Sequence, residues 1–126
     1  DGTFTLERVK QSEVALRVEG EDGFVLEGHS SMNQISRTPE SLVAATIGAH
    51  HQYPDGLVLY LGTMFAPVKD RDGEGKGFTH KLGDVVSIST SELGTLSNRV
   101  NLSTKCPPWT YGASHLLRDL ARAELL

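Results

Sequence analysis

The residues best placed to do chemistry lie where an apolar run stops on glycine and threonine. Residues 53–67 read Tyr-Pro-Asp-Gly-Leu-Val-Leu-Tyr-Leu-Gly-Thr-Met-Phe-Ala-Pro. Gly62 lets a ligand approach the backbone closely. Thr63 offers an anion a hydroxyl and a backbone N–H, and Met64 follows it. Sites are commonly built where regular elements give way to loops. The plainer reading is a strand that ends in an ordinary turn.

Other groups compete for a functional role. Glu19 and Glu21 form a Glu-x-Glu pair, but they flank a turn with no companion aspartate at suitable spacing, so they read as surface charges. Residues 70–75, Asp-Arg-Asp-Gly-Glu-Gly, resemble the start of a calcium loop with glycine in sixth place. Its twelfth place is Lys81, where a bidentate glutamate is required, so a solvated loop is expected. His50 and His51 are adjacent, and a helix would point them about 100° apart, too far for one metal ion to take both with ease. Near the end of a helix their cationic form suits the dipole, although one of them could face a pocket. His80 reads as a strand or loop residue rather than a base. Cys106 has no evident His–Asp partner set that would make it a nucleophile. Ser30 and Ser31 could line a pocket, although turn hydroxyls are common.

The elements that must hold these residues follow from pattern. Val14, Leu16 and Val18 alternate with Glu13, Ala15, Arg17 and Glu19, the signature of a half-buried strand. Gly20-Glu21-Asp22-Gly23 is a turn, and a second strand begins at Phe24, so residues 13–29 read as a hairpin. Thr38-Pro39-Glu40 is a helix start, with a capping hydroxyl, a proline suited to the first turn and an acid that complements the dipole. Leu42, Val43, Thr46 and Ile47 share one face of that helix, which is expected to end near His50 or His51. Tyr53-Pro54-Asp55-Gly56 is a turn. Residues 57–61 are continuously apolar between two glycines and predict a buried strand. Residues 68–77 are a polar loop. Residues 85–88 and 95–102 read as two more strands, turning at residues 92–94. Residues 114–125 predict an amphipathic helix with Leu116, Leu117, Leu120, Ala121 and, near its end, Leu125 facing inward. Five or so strands, one central helix and one C-terminal helix make an α+β domain with a mixed, curved sheet.

Composition narrows the class. The chain has 126 residues and a formal charge of -4, with 12 basic and 16 acidic side chains. No long basic run exists, so the footprint of a nucleic-acid binder is missing. A small anionic substrate would need a local positive site against that overall field. The single cysteine excludes a disulfide-stapled module. No apolar run approaches membrane-spanning length, and residues 1–4 lack the basic and apolar parts of a signal peptide. Residue 1 is aspartate rather than methionine, so a processed or truncated chain of cytoplasmic origin is expected.

Taken in order, three segments resemble one family. Residues 55–64 read D-G-L-V-L-Y-L-G-T-M, residues 82–86 L-G-D-V-V, and residues 93–100 L-G-T-L-S-N-R-V. The set is similar to the C-terminal signature of the fumarylacetoacetate hydrolase family, in which G-D-V-I-x-T-G-T-P precedes G-D-x-V and then G-x-L-x-N-x-V. The likeness covers roughly residues 13–101, including the hairpin and helix before the Gly-Thr strand. There are departures: Met64 stands where the family has proline, and Asp55-Gly56 reverses its Gly-Asp. The tail 103–126, with Pro107-Pro108-Trp109, runs past the common core and resembles a sugar-acid branch typified by 2-keto-3-deoxy-pentonate dehydratases.

This resemblance implies a curved sheet or β-roll of the family's C-terminal type, forming a partial catalytic domain. It also implies an activity on 2-keto or diketo acids, either carbon–carbon hydrolysis or dehydration of a 2-keto-3-deoxy sugar acid. The family uses Mg2+ or Ca2+ held by a Glu-x-Glu pair and an aspartate, which would lie upstream of the hairpin, so no metal ligand and no complete catalytic set is expected here. Gly62, Thr63 and Met64 map onto the substrate-binding segment, with Thr63 holding the substrate carboxylate. The partners implied are the keto acid, a second copy in a homodimer, and an N-terminal part of the same polypeptide. Neither nucleic acid nor membrane is among them. A non-catalytic binding or structural module that keeps the fold is the alternative, because the metal ligands are absent from the chain.

Overall fold

The computed structural model describes residues 5–62 and 65–126. Its chain order is α1 (Leu6–Gln11), β1 (Glu13–Glu19), β2 (Val25–Ser31), α2 (Pro39–Thr46), β3 (Val85–Thr90), β4 (Gly94–Arg99) and α3 (Ala113–Arg122). The strands form one sheet in the order β2-β1-β3-β4. The domain is α+β, as the pattern implied. The sheet is antiparallel throughout rather than mixed, because β1 lies between β2 and β3 and opposes both. Strands β2 and β3 run the same way but never touch, so no parallel ladder forms.

The β1–β2 hairpin follows the alternation of its sequence. Gly20 N–H donates to the Phe24 carbonyl at 2.8 Å, and Gly23, at φ 80°, closes the turn onto the Gly20 carbonyl at 3.0 Å. That turn sets Glu19 opposite Val25 and Val18 opposite Leu26. One face therefore gathers Val14, Leu16, Val18, Leu26, Val86 and Ile88, while Glu13, Ala15, Arg17, Glu27, His29 and Ser87 fall on the other. Val18 is 0% exposed and Leu26 2%. Ile88 and Leu96 on the same face are exposed, so the apolar face is covered at the β1–β2 end and open towards β4.

Helix α1 was not foreseen in the sequence. Thr5 caps it by accepting from Arg8 N–H, and the Ser12 hydroxyl closes its end on the Arg8 carbonyl at 2.9 Å. Six residues are too few to fold alone. The Ser12 carbonyl accepts from Met32 N–H at 2.9 Å, and Lys10 pairs with Glu40, which moors the helix to its neighbours. The expected cap of α2 is present: Thr38 Oγ1 accepts from Ser41 N–H at 3.2 Å, with Pro39 in the first turn. The helix stops at Thr46, sooner than expected, where Thr46, Ile47 and Gly48 are a run of weaker helix formers. His50 and His51 consequently lie beyond the helix.

Residues 57–61 are not a strand. They have no ladder partner, and Tyr60 is 88% exposed while Leu57 and Leu59 are half-buried. An apolar run becomes a buried strand only where neighbours supply hydrogen bonds and cover, and the sheet's order leaves it neither. The expected inward face of the last helix differs too: Leu116, Leu117 and Leu125 are exposed and only Leu120 is half-covered. The amphipathic pattern is real, but among the described residues no apolar element covers it. Among the described residues no helix is long and apolar enough to cross a membrane.

A buried ion network fixes the long connection between α2 and β3. Arg71, 4% exposed, reaches Asp84 with two bonds of 2.6 and 2.9 Å and Asp22 at 3.0 Å, and its guanidinium lies 4.6 Å from the centre of the Phe24 ring. Arg71 holds the Asp84 carboxyl down at about 2 and keeps Asp22 well below the usual carboxylate range. A carboxyl whose folded pKa is depressed contributes stability above its unfolded value near 3.8, and loses it as pH falls through about 2. Acid unfolding followed by circular dichroism should therefore show a stability loss between about pH 4 and pH 2. Asp84→Asn should be less stable at neutral pH and should flatten that loss. An unaltered acid profile in the variant would mean the pairing contributes nothing.

Candidate functional site

An open concavity of about 620 Å³ lies where the end of β2, the turn after it and the start of α2 meet residue 61. The size is within the range of small-molecule sites. Strand β2 contributes His29, Ser30 and Ser31; the following turn contributes Met32, Gln34 and Ile35. Ser36 and Arg37 continue the wall to Leu42 of α2, and Leu61 closes it.

Strand register explains the polar corner. Glu13 is directly opposite Ser31, and His29 is opposite Ala15, two residues along the same face. The Glu13 carboxylate accepts from the Ser31 hydroxyl and lies 3.0 Å from His29 Nε2. On the far side, Arg37 is steered by Ser41: Nε and Nη2 donate to its hydroxyl at 3.3 and 3.1 Å, and Nη2 to its carbonyl at 3.1 Å. No aspartate or glutamate is in the described lining itself, although the Glu13 carboxylate is bonded to its Ser31 and His29; Arg37 brings a guanidinium to another part of the wall, at the start of α2.

The sequence-derived ledge can be followed only in part. Leu61 is on the wall of the concavity. Gly62 is exposed at φ 88°, a backbone conformation that favours glycine. Thr63 and Met64 lie outside the described residues. Phe65 is half-buried and lays its ring on Gly28 of β2. A Cβ at Gly28 would stand 2.6 Å from Phe65 Cζ, so the absence of a side chain at residue 28 is what admits the ring.

The remaining candidates are scattered. Glu19 pairs with Arg17 at 2.9 Å and Glu21 faces Arg99 at 3.6 Å, both at the surface. Asp70 spends one oxygen on Gly75 N–H and the other on Gly77 N–H, each at 2.7 Å, which closes its loop on itself. His51 pairs with Gly48 through the backbone and stacks on Tyr53. His80 packs edge-on against Phe78, with Nδ1 3.6 Å from Asp84. Cys106 is exposed, 3.4 Å from the Leu102 carbonyl. Among the described residues no three His, Cys, Asp or Glu side chains are grouped to hold a metal ion.

Sequence reasoning noted that Ser30 and Ser31 could line a pocket, as they do here, and did not single out Glu13, His29 or Arg37. Glu13 and His29 were within reach, because the hairpin turn dictates their register. Comparison of the chain with family models, with curated proteins and with solved structures returns no match. The geometry around Gly28 makes a direct prediction. Gly28→Ala should cost about 1–3 kcal/mol by overpacking against Phe65, and trimming that ring with Phe65→Leu should recover part of the loss. Equal denaturation midpoints for the wild type and Gly28→Ala would contradict the contact.

Proposed function

We propose that this chain is the C-terminal part of a fumarylacetoacetate hydrolase-like enzyme and supplies one wall of a site for a 2-keto or diketo acid. The observation that carries the reading is the position of Leu61, one residue before Gly62, on the wall of a concavity that bears Arg37 and no carboxylate among its described lining. The ordered segments at residues 55–64, 82–86 and 93–100 support it. So do the antiparallel hairpin and the helix that precede the Gly-Thr segment.

In this reading the chain's own residues bind and orient. Thr63, with the backbone at Gly62, takes the substrate carboxylate through charge-assisted hydrogen bonds, the stronger kind. Mg2+ or Ca2+ would polarise the keto group when bound. The described side chains do not fit such an ion, because Glu19 and Glu21 face arginines rather than each other. The metal would therefore be held by an upstream part of the polypeptide. Exposed Ile88, Leu96, Leu116 and Leu117 suit a chain that packs against further protein, either that upstream part or a second copy. A cytoplasmic location belongs to the same reading.

Hydrolysis of an acyl pyruvate and dehydration of a 2-keto-3-deoxy-pentonate both begin from the same held keto acid. Turnover of one but not the other by the parent polypeptide with Mg2+ separates them. The competing reading, a non-catalytic module that keeps the fold, expects turnover of neither. Thr63→Ala should weaken keto-acid binding by about 1–3 kcal/mol. An unchanged KM in that variant would remove Thr63 from the site.

A further inference from the structure

We infer that α3 is an exchange arm: its leucine stripe docks in the apolar groove between α1 and α2 of a second copy of this chain, and that copy returns the contact. Neither surface lines the concavity at Leu61, so the contact does not rest on the keto-acid reading.

The chain carries two apolar surfaces that it leaves bare. On α3, Leu116, Leu117 and Leu120 share one side of the helix. The polar side is taken by the segment just before it. The Tyr111 hydroxyl donates to Asp119 at 2.7 Å, the Tyr111 ring lies 5.6 Å from that of His115, and Gly112 N–H donates to His115 Nδ1 at 3.3 Å. Leu116 and Leu117 stay exposed, and Leu120 is only half-covered. The second surface is an open groove of about 460 Å³ lined by Leu6, Pro39, Val43, Ala44 and Ile47, with Glu40 as the charged residue of its described lining. Leu6, Val43 and Ile47 are exposed there. An amphipathic helix laid in an apolar groove buries both surfaces at once.

Charge matches the two. Beside the groove, Glu7 and Glu40 share one cation, Lys10, so among the described residues this pair of carboxylates is only half neutralised. On α3, Arg122 faces Asp119 at 3.4 Å, whereas Arg118, next to Leu117, has no acidic partner among the described residues. A cation beside the stripe thus complements an acidic rim beside the groove. Size favours exchange. A helix of 10 residues is about 15 Å long, too short by itself to bury the roughly 1,200 Å² of a small stable interface. Reciprocal docking about a two-fold axis makes the contact twice.

Analytical ultracentrifugation of the full 126-residue chain should show a dimer. Leu117→Asp on the stripe and Val43→Asp in the groove should each raise its dissociation constant at least about tenfold. Both side chains are exposed in the single chain, so the sheet should survive, which circular dichroism checks. A mixture of the two variants keeps one intact arm and one intact groove, so it should regain part of the dimer that neither forms alone. In a Cys106→Ser background, Val43→Cys combined with Leu117→Cys should oxidise to a species of twice the chain mass. A monomeric wild type would overturn the exchange and leave the stripe to another partner. So would a dimer indifferent to both aspartates. A disulfide confined to one chain would overturn it as well, making α3 a cover for its own groove.

Discussion

The guanidinium of Arg71 ties the long connection between α2 and β3 to the hairpin turn and to the start of β3. It lies between Asp22 in the hairpin turn and Asp84 at the start of β3, and it packs on Phe24. The long connection from α2 has no strand of its own, so its course depends on such fixed points. Asp84 is 0% exposed and also accepts from Lys81 N–H at 2.9 Å. A buried carboxylate without a partner would be costly, so each of these two groups requires the other. Lys81 extends the network at its solvent edge by bridging Asp22 and Asp72. Phe65 on Gly28 is the second fixed point, and between Leu61 and Phe65 lies the segment on which the functional reading turns.

The parts of the fold legible in the sequence were those with local causes. The β1–β2 hairpin follows from alternation and a Gly-Glu-Asp-Gly turn. The start of α2 follows from Thr38-Pro39, and the 53–56 turn from Pro54, with Gly56 N–H bonding the Tyr53 carbonyl at 2.9 Å. Strands β3 and β4 came out near their expected places, although β4 ends at Arg99 rather than residue 102. What failed depended on partners. Residues 57–61 have the composition of a buried strand and α3 has the pattern of a packed helix, but burial is a property of the neighbour, and the described sheet offers none. Arg71 gave no signal, because an arginine pairing with Asp22, 49 positions away, looks from its sequence like any loop cation.

The same division applies to the site. Ser30 and Ser31, which line the concavity, were visible as hydroxyls that could face a pocket. The pairing of Glu13 with His29 and Ser31 is a consequence of register. Arg37 was passed over because it precedes a helix cap and looks like solvated surface. Its meaning comes from the concavity in front of it and from the absence of a carboxylate in the described lining. One sheet face thus serves packing near Val18 and Leu26, while the strand end beyond it, with α2, shapes a polar recess.

The account's central claim is that an organic acid is gripped beside Gly62. Amide chemical-shift mapping of the isotope-labelled parent polypeptide, titrated with pyruvate in the presence of Mg2+, tests it most directly. The account expects saturable shifts concentrated at Gly62 and Thr63 and at Ser31, which lines the concavity with Leu61. Saturable shifts confined to α3 or β4, with the Gly62 and Thr63 amides unmoved, would contradict it.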